Sequence, residues 1–218
     1  MSHTPGAPGP RQAQKLRTRQ ALMSASLELL EQQSLSSLGL REVARAVGIS
    51  PAGFYRHFCG IPELGVALVE ETLGSLRTLI ATILAETGDT ERRIAHTVEL
   101  IARHVAEQPA YFRFLVRERT GGVAPVRRAI ATQLDLFSEE LTEVLAAESE
   151  LRGWQPEDLR MLAGMYVDQM VMTAAALLEA GPDDTAETAR ITRTARRRLR
   201  LINVGSEHWL DEGQPSSA

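Results

Sequence analysis

Apolar residues recur along the chain at steps of three and four, the spacing of one face of an α-helix, and no stretch alternates as a half-buried strand does. Over 11–31 such a face is made by Leu22, Ala25, Ser26, Leu29 and Leu30, and 34–39 interrupts it. Leu40, Val43, Ala44 and Val47 repeat the pattern in a short helix ended by Gly48, which adopts left-handed backbone cheaply. Ser50 and Pro51 are an N-cap and a first-turn residue for a second short helix over 51–58. Ile49 and Phe54 are spaced as a hydrophobic staple across its start, and Phe54 and Phe58 share its inner face.

The rest of the chain reads as longer helices. After a turn at 59–62, Leu64, Leu68, Leu76, Ile80 and Ile83 mark a long helix ending at Gly88-Asp89. Residues 91–107 place Ile94, Val98, Ile101 and Val105 on one face, and 110–119 forms a short helix closed by Gly121-Gly122. Over 126–147, Ile130, Leu134, Phe137, Leu141 and Val144 step by four and three, a seam suited to packing another helix. Residues 157–180 are apolar around much of the circumference, from Leu159, Leu162, Met165 and Tyr166 to Met170, Met172, Leu177 and Leu178, which predicts burial on more than one side. A last helix, from 185 to about 204, carries Arg196, Arg197, Arg198 and Arg200. The predicted fold class is all-α.

The stretch 38–58 carries the chemistry. Two short helices joined by a tight turn form a helix-turn-helix, with Ala52, Gly53, Tyr55, Arg56 and His57 left facing outward. Small residues at the helix start permit close approach to a DNA groove, and the phenol, guanidinium and imidazole behind them reach phosphates or base edges. The competing reading is a helical hairpin with a solvated face.

The formal net charge of −4 by itself argues against a nucleic-acid partner, but its distribution reverses the argument. Residues 1–60 hold seven Lys/Arg against three acids, whereas 61–218 carry a balance of −8. A basic head on an acidic body is the footprint of a DNA-binding domain joined to something else. Cys59 is the one cysteine, so no disulfide framework or thiolate cluster is available, which fits a cytoplasmic location. No run of about eighteen apolar residues suggests a membrane span, and the start of the chain lacks the pattern of a signal peptide.

At these residues the chain resembles the tetracycline-repressor (TetR) family, whose N-terminal run appears as Leu40-Arg41-Glu42-Val43-Ala44, Gly48-Ile49-Ser50 and Phe54-Tyr55-Arg56-His57-Phe58. Glu63-Leu64-Gly65 and the run from Phe112 to Gly121 (FRFLVRERTG) further resemble the fatty-acid-responsive subgroup typified by FabR and DesT. The resemblance implies a three-helix DNA-binding domain over 11–60 and a helical ligand-binding and dimerisation domain over 61–210, while the composition of 1–10 and 211–218 predicts disordered tails. It also implies a homodimeric, ligand-responsive transcriptional repressor on a double-stranded, pseudo-palindromic operator, with long-chain acyl thioesters such as acyl-CoA as effectors and unsaturated fatty acid synthesis as the controlled process. The DNA-binding positions would be Arg17, Thr18, Arg41, Ser50, Pro51, Ala52, Gly53, Tyr55, Arg56 and His57. Gly39 stands where members of the family often carry a capping Thr or Ser, and Cys59 where a phosphate-binding Lys or Arg is common.

No phosphate loop, nucleophile elbow or zinc-protease motif is present, so neither an enzyme nor a cofactor is expected. His96 and His104 lie two turns apart with Glu99 between them, not at the three- or four-residue spacing of a helical metal pair. Asp168 and Gln169 interrupt an apolar helix, either as a ligand's polar anchor or as hydrogen-bonding groups at a helix interface. In 111–119, Phe112, Leu115 and Val116 share a face away from Arg113, Arg117 and Glu118. That pattern fits an ordinary amphipathic helix, or an apolar wall beside cationic heads that would suit an anionic amphiphile. The expected effector cavity is lined by Leu76, Ile83, Val98, Ile101, Phe112, Leu115, Tyr166 and Met170, with the long helix after the turn as the lever. The helices at 126–147 and 157–180 are expected to form a four-helix dimer interface. Two alternatives stand beside this reading: a TetR-type repressor answering another hydrophobic molecule in efflux or catabolism, and a small-molecule-binding helical domain whose helix-turn-helix is vestigial.

Overall fold

The computed structural model describes residues 9–84, 90–148, 151, 153–181 and 183–209. Among them the chain forms nine α-helices: α1 (Pro10–Leu30), α2 (Leu40–Ala46), α3 (Pro51–Phe54), α4 (Ile61–Leu84), α5 (Thr90–Glu107), α6 (Pro109–Glu118), α7 (Ala124–Ala147), α8 (Pro156–Ala180) and α9 (Thr185–Glu207). The described residues include no strand. The tails expected at 1–10 and 211–218 and the helix stop at Gly88-Asp89 lie almost wholly outside the described residues; Gly9 and Pro10 do not, and they start α1.

Proline sets the starts of α1, α3, α6, α7 and α8, standing in the first or second helical position of each. A helix's first N–H groups have no partner within it, so the missing donor costs nothing there and the fixed φ is already helical. Gly48 ends α2 with φ +73°. Its N–H donates to Arg45 O at 3.1 Å and that of Ile49 to Ala44 O at 3.0 Å, the two bonds of a Schellman cap.

Helices α1–α3 close over one end of a larger bundle formed by α4–α9. One continuous core runs from Leu22, Leu27 and Phe54 through Leu64 and Leu68 to Leu100, Phe112, Ile130 and Leu177. Two smaller clusters complete the bundle: Leu145, Trp154, Leu159 and Leu162 at the far tip, and Ile94, Val98, Ala195 and Leu199 between α5 and α9. Trp209 packs against Trp154 at that tip, with ring centroids 6.0 Å apart and the planes tilted by 38°.

Three sequence expectations change here. The recognition segment is regular helix only over Pro51–Phe54, and 55–57 continues as tight turns. Helix α8 does have the length and apolar composition of a membrane span, against the expectation of none. It is nonetheless packed along one side on α5, α6, α7 and α9 and carries Asp168 on the other. The α7 seam does not wait for a second copy of the chain either, because Ile130, Leu134, Phe137, Leu141 and Val144 all turn into a cavity of their own subunit.

Gly65 marks a close joint between α4 and its neighbours. A Cβ there would lie 2.7 Å from Val126 Cγ2 and 2.8 Å from Leu35 Cδ2, and both residues are fully buried. Gly74, on the same helix, has nothing within 4 Å of the equivalent point. Gly65→Ala is therefore expected to cost about 1–3 kcal/mol by overpacking. Gly74→Ala should instead stabilise by about 0.5–1 kcal/mol. Denaturant midpoints of the two variants, measured side by side, should move in opposite directions.

Candidate functional site

The helix-turn-helix end is built by caps and one cation. Ser50 Oγ accepts the Gly53 N–H at 3.1 Å, so this hydroxyl is a helix cap before it is a contact. Phe54 and Phe58, 0 % and 1 % exposed with rings 5.7 Å apart, root the recognition segment in the core. Tyr55 is 59 % exposed, and Arg41, Pro51, Ala52, Arg56 and Arg17 are also exposed. Gly53 is half-buried, and a Cβ there would meet Ile49 Cβ at 3.3 Å, so its smallness also serves the turn behind it. Thr18 is half-buried and donates to Gln14 O at 3.1 Å.

Sequence reasoning missed Arg19. Its Nη1 donates to His57 O at 3.0 Å, and its guanidinium lies 4.2 Å from the centre of the Phe58 ring, fastening α1 to the end of the recognition segment. Helical periodicity points to neighbours within one helix, so it gave no signal for a contact between residues 19 and 57. Cys59 is exposed, and its N–H donates to the Glu63 carboxylate, which is held below the usual carboxylate range chiefly by that bond. The neighbouring carboxylate in turn pushes the Cys59 thiol up.

Helix α6 joins the two ends of the molecule, and it faces both ways. On its outer side Arg117 Nη1 donates to Leu30 O at 2.6 Å and Gln33 O at 2.7 Å, satisfying carbonyls at and beyond the end of α1. Arg113 pairs with Glu31 at 3.2 Å, and the Tyr111 hydroxyl donates to Glu71 Oε1 at 3.1 Å, which also accepts from Gln20. Burial and the Glu71 charge push the Tyr111 hydroxyl up to about 12. Glu118 is only 2 % exposed and accepts the Leu35 N–H at 3.2 Å. Gly121 leaves room for that carboxylate, since a Cβ there would sit 2.1 Å from Glu118 Oε2. Arg113 and Arg117 are therefore not the cationic heads of a ligand wall; they belong to the domain joint. Phe114 is buried, and Val116, expected on the buried face, is 40 % exposed.

On the inner side of α6, Phe112, Leu115, Val116 and Arg119 line a cavity of about 190 Å³. Of the expected lining residues, Leu76, Ile101, Phe112, Leu115, Tyr166 and Met170 surround it. Val98 points instead into the α5–α9 cluster, and Ile83 packs against the main core. Along α7 the lining extends from Ile130 to Glu148, roughly 27 Å at the helical rise. So small a volume over such a length makes a narrow, overwhelmingly apolar slot. Its far end is polar: Arg93 pairs with Glu148 and donates to Thr90 Oγ1 at 3.0 Å. Tyr166, 3.5 Å from Asn203 Oδ1, is pushed up to about 12 by burial and then by Glu148. Gln169 is tied to Thr173 within α8, and Asp168 lies 3.6 Å from Arg119. Among the described residues no group of three His, Cys, Asp or Glu side chains is placed to hold a metal ion.

Residues 22–67 match the family model described as bacterial regulatory proteins, tetR family, and this segment is a helix-turn-helix DNA-binding domain of that type. Over nearly the whole chain the fold is that of TetR-family structures. The fatty acid degradation regulator FadR from Bacillus halodurans superposes with a TM-score of 0.66 at 16% identity, covering 90% of this chain and 96% of its own. A Syntrophomonas wolfei protein assigned to the TetR-family transcriptional regulators gives 0.72 at 15%, covering 87% and 96%. A Clostridium perfringens protein assigned as a fatty acid metabolism regulator gives 0.64 at 12%, covering 82% and 97%. At these identities the likeness is one of fold.

The imidazole of His57 generates a test. The ring is half-buried, and its Nδ1 is enclosed without a hydrogen-bond partner. Burial, followed by the charges of Lys15, Arg19 and Arg56, lowers its pKa. A base lowered in this way favours the folded state above its unfolded value, and that contribution is lost as pH falls through the folded value, below about 6.5. Phosphates against the ring would reverse the field, so DNA binding should take up a proton. Affinity for duplex DNA is expected to rise as pH falls from about 7.5 towards 6, and the rise should be absent in His57→Gln. Identical anisotropy profiles for the two proteins would remove His57 from the phosphate contact.

Proposed function

We propose that the chain is a ligand-responsive transcriptional repressor that binds a pseudo-palindromic operator as a homodimer and answers to a long-chain acyl effector. The observation that carries this reading is α6, whose one face walls an apolar slot while the other clamps the end of α1 and the loop leading to α2. An occupant that displaces Phe112 or Leu115 must therefore disturb the seat of the DNA-binding domain. The narrowness of the slot favours a flexible tail over a compact polycyclic ligand, and Met170 on its wall can repack around tails of different shape. The effector can shift the equilibrium only by its differential affinity for two placements of the recognition segments, which must match half-sites about 34–36 Å apart. Acting on chromosomal DNA, such a regulator works in the cytoplasm.

The dimer face proposed here is α8 with α9, in place of α7 with α8. Met161, Met165 and Met172, spaced four and seven residues apart on α8, are all exposed within the chain, as are Leu201 and Val204 on α9. Gly164 beside them has nothing within 4 Å of its missing Cβ, which permits close helix approach. Met165→Glu combined with Leu201→Glu should yield a folded monomer by sedimentation, with unchanged helical content. A persisting dimer would place the contact elsewhere.

Operator recognition is assigned to Arg56 and Arg41 at base edges, with Tyr55 and His57 on phosphates. Gel shifts on the upstream region of the protein's own gene test the function, and acyl-CoA addition should change the shift. Arg56→Ala should cost about 1–3 kcal/mol on operator DNA if it makes a bidentate guanine contact, with little loss on random sequence. Equal losses on both would make it a phosphate clamp.

A further inference from the structure

Among the described residues two cationic side chains line the slot, Arg93 and Arg119, and their circumstances differ. The Arg93 side chain is 17 % exposed, pairs with a Glu148 only 19 % exposed, and also bonds Thr90. Its charge is already met, and pulling it away would leave a half-enclosed carboxylate uncompensated. Arg119 caps the end of α6, and its side chain is 44 % exposed. Its ion pair with Asp168 is 3.6 Å long, beyond hydrogen-bond distance, and the Asp168 side chain is 73 % exposed. A solvent-screened pair of this kind is held weakly. Val116, one turn earlier on α6, both lines the slot and is 40 % exposed, so the apolar wall reaches solvent along the α6–α8 seam with the Arg119 guanidinium at its rim.

We propose that Arg119 is the head-group site of the effector: an amphiphile lies with its tail along α7 and its anionic head at the α6–α8 rim, where it takes Arg119 from Asp168. The proposal rests on the reading of the slot as the seat of an acyl chain. A planar guanidinium offers two parallel N–H donors to a carboxylate and equally to a phosphate. The shared chemistry is therefore an anionic head, carried either by a free fatty acid or by the phosphorylated carrier of an acyl thioester. The exchange also has a second consequence. Asp168 lies on α8 between Met165 and Met172, so losing its counter-charge places a bare carboxylate in the apolar stripe assigned to the dimer. Head-group binding would then be felt at the dimer face as well as at α6.

The test titrates palmitate, palmitoyl-CoA and the neutral glycerol monoester of palmitate, each below its micelle concentration, into the wild-type, Arg119→Gln and Asp168→Asn proteins by calorimetry. Arg113→Gln, on the outward side of the same helix, controls for lost charge. Arg119→Gln should weaken an anionic ligand about tenfold and leave the neutral ester within about twofold, while Asp168→Asn tightens the anionic ligand. Loss confined to palmitate identifies the free acid as the source, and loss with palmitoyl-CoA identifies the phosphorylated carrier. Binding of all three with no dependence on Arg119, or an equal loss for the neutral ester, overturns the head-group site and leaves the acyl-chain reading standing. If none of the three binds the wild-type protein, the acyl-chain reading falls and takes this proposal with it.

Discussion

The Arg117 guanidinium, closed over carbonyls at and just beyond the end of α1, is the interaction on which the joint between the helix-turn-helix end and the larger bundle depends. The end of a helix leaves carbonyls without partners, and here they are satisfied from a different domain, by a side chain 87 residues further along. Glu118, the next residue, receives the Leu35 N–H in a site with almost no solvent. Removing such a carboxylate would strand a buried donor, so the joint is costly to take apart. Ten residues of α6 thereby hold the DNA-binding domain with one face and wall a slot with the other.

The slot exists because α7 turns its seam inward without filling the space in front of it. Native interiors are packed to the density of organic crystals, and a cavity of about 190 Å³ forgoes the contacts its lining would otherwise make. Its walls belong to α4–α9, and Leu145 of the tip cluster and Ile94 and Leu199 of the α5–α9 cluster face it as well.

At the opposite end the economy is different. Helix α3 has only four residues, too few to persist on its own, and it stands because Ser50 caps it, the Gly48 turn aims it, and Phe54 and Phe58 bury its base. Several acids near it are already engaged: Glu31 pairs with Arg113, Glu42 accepts from Gln33, and Glu63 accepts from Cys59. The cations Arg41, Arg45 and Arg56 on and beside the same helix pair remain exposed.

Helix periods, proline starts, the Gly48 cap and the Phe54–Phe58 pair were legible in the sequence, because each depends on neighbours within about a turn. So were the basic head and the part of the cavity wall made by Leu76, Ile101, Phe112, Leu115, Tyr166 and Met170, since an apolar face at helical spacing must be buried against something. What it is buried against is a contact of long separation. Whether the α7 seam would meet a partner chain or its own cavity, whether Val98 would face the slot or α9, and whether Arg113 and Arg117 would face a ligand or α1 depended on the rotation of each helix about its axis. An amphipathic pattern names the face but not its neighbour. Only the packing of nine helices chose between those partners, and it alone left Arg119, out of three arginines on one short run, at the edge of the cavity.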